Sequence, residues 1–185
     1  MSLSKYRILI AAVVMLSSQL AYSDSSTSDT STSDTSNIGA SLHEKYDLAI
    51  NEIPDGVLKV IHETRPQLDI TGAEKEYKNG NTYIDVETVD TNGNELEFDM
   101  LFENGDWKII EIQRDLSLNE LPNIVKDTFL QQHSKIKPSR IIESDQGNEI
   151  VIYEFFLVSE NGNESKKEIK LADGEAQFLK EEWKH

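Results

Sequence analysis

Apolar positions along the chain follow two periods in turn. Val57, Val60, Ile61 and Thr64 recur at helical spacing, as do Leu121, Val125 and Phe129 with Ile124 beside them, so each set predicts a short helix buried along one stripe. Pro54 and Pro122 suit the first turn of these helices, where the missing N–H would have no partner anyway. Ser117 and Glu120 have capping-box spacing, which predicts a second helix that starts a turn earlier. The first helix ends by Arg65, because a residue before proline disfavours the helical region. After each helix the period drops to two. Strand-like runs cover 73–77, 82–89, 95–102 and 107–113, then 140–144, 149–159, 165–171 and 176–180. Leu96, Phe98 and Met100 alternate with mostly acidic neighbours, as one buried sheet face requires. Six of the nine glycines stand in Asn79-Gly80, Asn92-Gly93, Asn104-Gly105, Gln146-Gly147, Asn161-Gly162 and Asp173-Gly174, which mark hairpins needing positive φ.

The two sets echo each other. NEIPDGV at 51–57 returns as NELPNIV at 119–125, a spacing of 68, with Ile61 falling on Phe129. After one inserted residue the spacing is 69, so that Ile84 matches Tyr153, Val86 Phe155, Gly93 Gly162, Met100 Ile169 and Gly105 Gly174. Register held over so long a stretch points to an inherited duplication, with repeats at about 51–115 and 117–181. One such unit would bury too little to stand alone. The expected fold is therefore α+β: two tandem α-β-β-β-β repeats forming one antiparallel sheet, with both helices packed on one face. Its expected core is Val57, Ile61, Ile84, Val86, Phe98, Met100, Phe102 and Ile109, with Val125, Phe129, Tyr153, Phe155, Ile169, Leu171 and Phe178 from the second repeat.

Ahead of this domain (38–185) the chain changes character. Residues 1–23 combine a short basic start, the apolar run Ile8 to Leu16 and the small-x-small ending Ala21-Tyr22-Ser23, a secretory signal peptide with cleavage expected before Asp24. The nine apolar residues rise only about 14 Å as a helix, too short for a lasting membrane anchor. Residues 24–37 are almost wholly Ser, Thr and Asp, with STSDT twice in succession, and have nothing to bury; a disordered tether is expected. The expected location is therefore periplasmic or secreted.

Charge narrows the partners. The formal net charge is −16, and loss of Lys5 and Arg7 with the leader takes it to −18. Such a chain repels nucleic acid and anionic headgroups. The absence of cysteine excludes disulfides, thiolate metal sites and a cysteine nucleophile. His43, His62, His133 and His185 form no HxH, HxxxH or HExxH arrangement, so no metal site is expected. No serine lies in a G-x-S-x-G or Ser-x-x-Lys pattern, no phosphate-cradling loop is present, and no cofactor or catalytic set is expected. Asp90, Asn92 and Asn94 lack the spacing of a calcium loop and read as a hairpin turn. Asp85, Glu87, Glu95, Glu97 and Asp99 read as solvated charge on the outward side of their strands.

The helix-opening Ile53-Pro54 and Leu121-Pro122, the loop at Pro66, and the terminal turns Asn104-Gly105 and Asp173-Gly174 make the chain resemble PepSY-like domains. In tandem these resemble the fold of the β-lactamase inhibitor proteins. The resemblance covers Ile53 to about Leu179 and rests on turn and cap positions. It implies a secreted, non-catalytic module that restrains an exported enzyme such as a peptidase, gripping it with an open sheet face and hairpin loops. The second repeat departs from the pattern at Ser134, which stands where Pro66 stands in the first.

One run is apolar on both sides of its strand. Val151, Tyr153, Phe155 and Leu157 point one way, and Ile150, Ile152, Phe156 and Val158 the other. Ile110 and Ile112 likewise read as lying opposite Trp107 and Ile109. With helices on one face only, Ile150, Ile152, Phe156, Val158, Ile110 and Ile112 form a candidate partner-binding strip. The competing reading covers that strip with the segment around Leu42, Tyr46, Leu48 and Ile50, or with the tail bearing Trp183. A carrier or sensor for small cationic ligands, drawn by the acidic surface, is the alternative function.

Overall fold

The computed structural model of the chain describes residues 43–184. The expected signal peptide (1–23), the linker (24–37) and Leu42 lie outside the described residues. The described elements run β1 (His43–Asp47), a 3-10 turn (Ile50–Glu52), α1 (Asp55–Thr64), β2 (Leu68–Lys78), β3 (Asn81–Asp90), β4 (Glu95–Glu103) and β5 (Asp106–Asp115). They continue with α2 (Asn123–His133), β6 (Arg140–Asp145), β7 (Val151–Val158), β8 (Glu164–Ala172) and β9 (Glu175–Phe178). The nine strands form one open antiparallel sheet in the order β1 to β9, each paired with its chain neighbours. The class is α+β, with a nine-stranded sheet and two helices.

Both helices begin one residue after proline. Pro54 and Pro122 keep extended backbone at the N-cap, and their carbonyls accept from Val57 N–H at 2.9 Å and Lys126 N–H at 3.0 Å. The prolines thus stand just outside the first turn rather than in it. The Ser117–Glu120 pair exists, with Ser117 N–H donating to Glu120 Oε2 at 2.8 Å, but it closes a turn before α2 and does not lengthen the helix. The same device precedes α1, where Ala49 N–H donates to Glu52 Oε2 at 3.0 Å.

α1 buries Val57 and Ile61 against Ala73, Ile84, Val86, Phe98 and Met100, with Ile53 and Leu68 at the margins. α2 buries Val125 and Phe129 against Ile141, Tyr153, Phe155, Leu157 and Ile169, and the Phe129 and Phe155 rings stack at 4.1 Å. Strand register puts both clusters on one side of the sheet: Ile112 pairs with Phe98 on one flank and Asp145 on the other, and Ile141 lies on the side of Asp145. Among the described residues the other side carries no helix.

Three expectations need correction. β1 is an additional first strand; HEKYD is too polar to announce itself, yet it pairs along β2 from His43↔Lys78 to Asp47↔Glu74. Phe102, expected in the core, is 43% exposed, because it lies at the hairpin end of the sheet and rests on Trp107 at 5.1 Å instead. Ile112 lies on the helix side. A β-bulge matches Asp99 to Glu111 and Met100 to Ile109, leaving Ile110 without a cross-strand partner, and this extra residue reverses the alternation beyond it.

Candidate partner-binding face

The helix-free face divides into an apolar half and an acidic half. On β6 and β7 the side chains facing this way are Ile142, Ser144, Ile152, Glu154 and Phe156, with Val158 at the end of the strand. Ile152 is only 1% exposed, while Val158 is 46% exposed and Phe156 half-buried. Ile150 lies in the turn before β7, half-buried, where its carbonyl accepts from Gln146 N–H at 3.0 Å. Arg140 lies over the Phe156 ring at 5.9 Å and bonds Asp115 Oδ1 through Nε at 2.9 Å. Of the expected strip, then, Ile152, Phe156 and Val158 share the helix-free face. Ile112 packs in the first core, and Ile110 is the bulged residue.

The C-terminal tail crosses the same face. Trp183 N–H donates to Glu168 Oε2 at 2.7 Å, its indole N–H donates to Gln146 Oε1 at 2.9 Å, and Lys170 Nζ lies 5.0 Å from its ring centroid. Gln146 Nε2 in turn donates to Ser144 Oγ, which donates to the buried Glu111. The segment near β1 behaves differently. Leu48 packs on the first core, and Tyr46 lies exposed beside Tyr77.

The acidic half is built by register. Asp85 pairs with Asp99, Glu87 with Glu97, and Asp99 with Glu111, so carboxylates stand side by side across β3, β4 and β5. Lys45 on β1 reaches one end, 2.7 Å from Glu74 Oε2 and 3.2 Å from Asp85 Oδ2. Gln113 Nε2 donates to Asp99 Oδ2 at 3.3 Å, whereas Asp99 Oδ1 and Glu97 Oε2 are buried with no hydrogen-bond partner. Burial, with Asp85 and Glu87 nearby, pushes the Glu97 carboxyl up to about 8. Burial, with Asp85, Glu111 and Glu97 nearby, holds Asp99 well above the ordinary carboxylate range. Burial also raises Asp85, against the pull of Lys45. Glu97 and Asp99 are therefore not the solvated charges the alternating pattern suggested. Among the described residues, no three His, Asp or Glu side chains converge as a metal site.

No family model matches the chain. No curated protein matches it either. Among solved structures it is similar to a Bacteroides vulgatus protein of the DUF2874 family whose name proposes a periplasmic location. That match has 21% identity, covers 76% of this chain and 97% of the other, and has a TM-score of 0.29. Among the described residues no helix is long and apolar enough to cross a membrane.

The remaining candidates fall where local chemistry puts them. Asp90 closes the β3–β4 hairpin, its Oδ1 accepting from Asn92 N–H at 2.8 Å and Asn94 N–H at 2.9 Å. The Asn94 side chain bonds its other oxygen, and these bonds lower the Asp90 pKa. His133 packs between Phe129 and Phe178, at 5.3 and 5.8 Å between ring centroids.

Proposed function

We propose that the chain is an exported, non-catalytic module that docks another exported protein through the helix-free face of its sheet. The observation that carries this reading is the combination on the helix-free face of Phe156, half-buried, and Val158, exposed at the strand end. An accessible apolar edge beside polar groups is the usual composition of an interaction site. Export rests on the leader at residues 1–23. The finer arrangement belongs to the same proposal: a duplicated PepSY-like unit, with a peptidase as the enzyme class to be restrained. It is supported by β3–β4 and β7–β8 registers that coincide at a spacing of 69, Thr82↔Phe102 answering Val151↔Leu171.

The test is capture from a fraction of exported proteins by the tagged chain, compared with Phe156→Asp and Val158→Asp variants. Both positions retain some exposure, so charge there disturbs a bound partner more than the fold. A partner lost at least tenfold by both variants is the expected outcome. Equal capture by all three chains removes this face from consideration.

A further inference from the structure

The two halves of the sheet part company at one edge. β5 continues past its bulged residue Ile110 along β4, pairing Glu111 with Asp99, Ile112 with Phe98 and Gln113 with Glu97. At a spacing of 69, β9 pairs Phe178 with Ile169 as β5 pairs Ile109 with Met100. Leu179, the counterpart of Ile110, donates its N–H to Glu168 O at 2.9 Å, and there the ladder stops. The tail then leaves the edge of β8 and crosses to the helix-free face. Trp183 N–H bonds Glu168 Oε2, and the Trp183 ring reaches from Lys170 on β8, across β7, to Gln146 just beyond β6.

The edge that the tail leaves open is complementary to it. Continued in the register of β5, the tail sets Lys180 opposite Glu168, Glu181 opposite Lys167 and Glu182 opposite Lys166, an opposite charge at each position. Such cross-strand pairs stabilise an antiparallel ladder. All three tail residues are exposed, and together with the same three residues of β8 they line a cleft of about 100 Å³. In that register Trp183 takes the place of Arg114, which lies on the helix side, where it bonds Glu143 beside Tyr153 of the second core. Trp183 therefore cannot hold both positions, and the position along β8 leaves the helix-free face bare.

We propose that the tail 179–184 is a strap with two seats, across the helix-free face or along β8, and that a docked protein drives it from the first to the second. This deepens the docking reading by supplying its regulation, and rests on it. A partner that needs the face shifts the tail towards the seat that leaves it open. The ladder and the three charge pairs gained on β8 offset the Trp183 contacts given up, so the face stays covered until a partner arrives and is then released readily.

The chain contains no cysteine, so an introduced pair reports a single contact. Lys167→Cys and Glu181→Cys stand directly opposite each other in the β8 seat, and oxidised glutathione then holds the full chain there. The disulfide is expected to close. NMR cross-peaks between the Trp183 ring and the Lys170 side chain, strong in the reduced chain, are expected to fall at least tenfold. Capture from exported proteins is expected to rise at least threefold in the oxidised chain and to return on reduction. Without cysteines, Glu181→Lys sets like charges opposite each other in the β8 seat and is expected to lower capture at least threefold. Adding Lys167→Glu restores the pair and the net charge, and capture with them. A disulfide that does not close, or one that closes with the Trp183–Lys170 cross-peaks intact, overturns the two-seat strap.

The capture assay separates this proposal from the reading beneath it. Equal capture by oxidised and reduced chains, with capture still lost in Phe156→Asp, leaves the docking face standing and removes the strap's part in it. Release of Trp183 in the oxidised chain, with capture unmoved by Phe156→Asp and Val158→Asp, ends the docking reading and this proposal with it.

Discussion

Glu97 illustrates how a single carboxyl couples proton binding to folding. Its neighbours are Asp85 and Glu87 on β3 and Asp99 on its own strand, with Glu111 beyond on β5 and Lys45 as the cation in reach from β1. In the folded chain it holds its proton up to about pH 8, against an ordinary value of 4.5. Between those values the folded state binds more protons than the unfolded state, so stability falls as pH rises. The slope reaches at most about 1.4 kcal/mol per pH unit for one such group. Urea unfolding is expected to give lower stability at pH 8 than at pH 5. Glu97→Gln, which keeps the shape and cannot ionise, is expected to flatten that slope and to be the more stable chain at pH 8. An unchanged slope refutes the assignment. Nothing local to residues 95–102 announces this behaviour. Alternation places Glu97 and Asp99 on the outward side correctly, but their crowding arises only when the register sets Asp85, Asp99 and Glu111 abreast.

At the scale of elements, legibility followed local chemistry. The helical stripes were readable because Val57, Ile61, Val125 and Phe129 are large, apolar and correctly spaced, and the hairpins because glycine sits at the turns, with Gly93 at φ 85° and Gly162 at φ 79°. The bulge at Ile110 is not readable, since Trp107 to Gln113 carries no glycine or other marker of an extra residue, and unbroken alternation puts Ile112 on the wrong side. The tail was also ambiguous, because a single Trp183 can cover either face. Its hydrogen bonds to Glu168 and Gln146 make it a strap over β6 to β8. Trp183→Ala removes the indole donor and its apolar area, leaving Gln146 Oε1 unpaired. A loss of about 1–3 kcal/mol in urea unfolding is expected. Faster amide exchange in β8 is expected alongside it, and a chain as stable as the original would show that the strap carries no weight.

At the scale of the molecule, most buried hydrophobic side chains among the described residues gather into two clusters, and the sheet joins them through one seam. β5 and β6 pair at only four positions, Ile112↔Asp145 to Asp115↔Ile142. Arg114 Nε to Glu143 Oε1 at 2.6 Å, Arg140 to Asp115 and Ser144 to Glu111 reinforce that seam. Glu143→Pro breaks the ladder and the Arg114 ion pair at once, because proline has no N–H and is poorly tolerated inside a sheet. Calorimetry is expected to show one cooperative transition for the unmodified chain and two for the variant. A single transition in the variant would mean that the halves are bound by more than the seam. The α+β class and eight of the nine strands are within reach of the sequence because the alternation is clean; β1 is not, because its five residues include no strong strand former beyond Tyr46.

Every inner strand in this sheet lies against the one made just before it and the one made just after, and each edge strand against its one neighbour in the chain. No segment has to wait for a distant complement, so each new arm can zip onto a finished template as it emerges from a ribosome or a translocation pore. Assembly then proceeds from the amino-terminal edge towards the other, and the ring of Trp183 arrives last, over a surface that has stood open to other molecules until that moment.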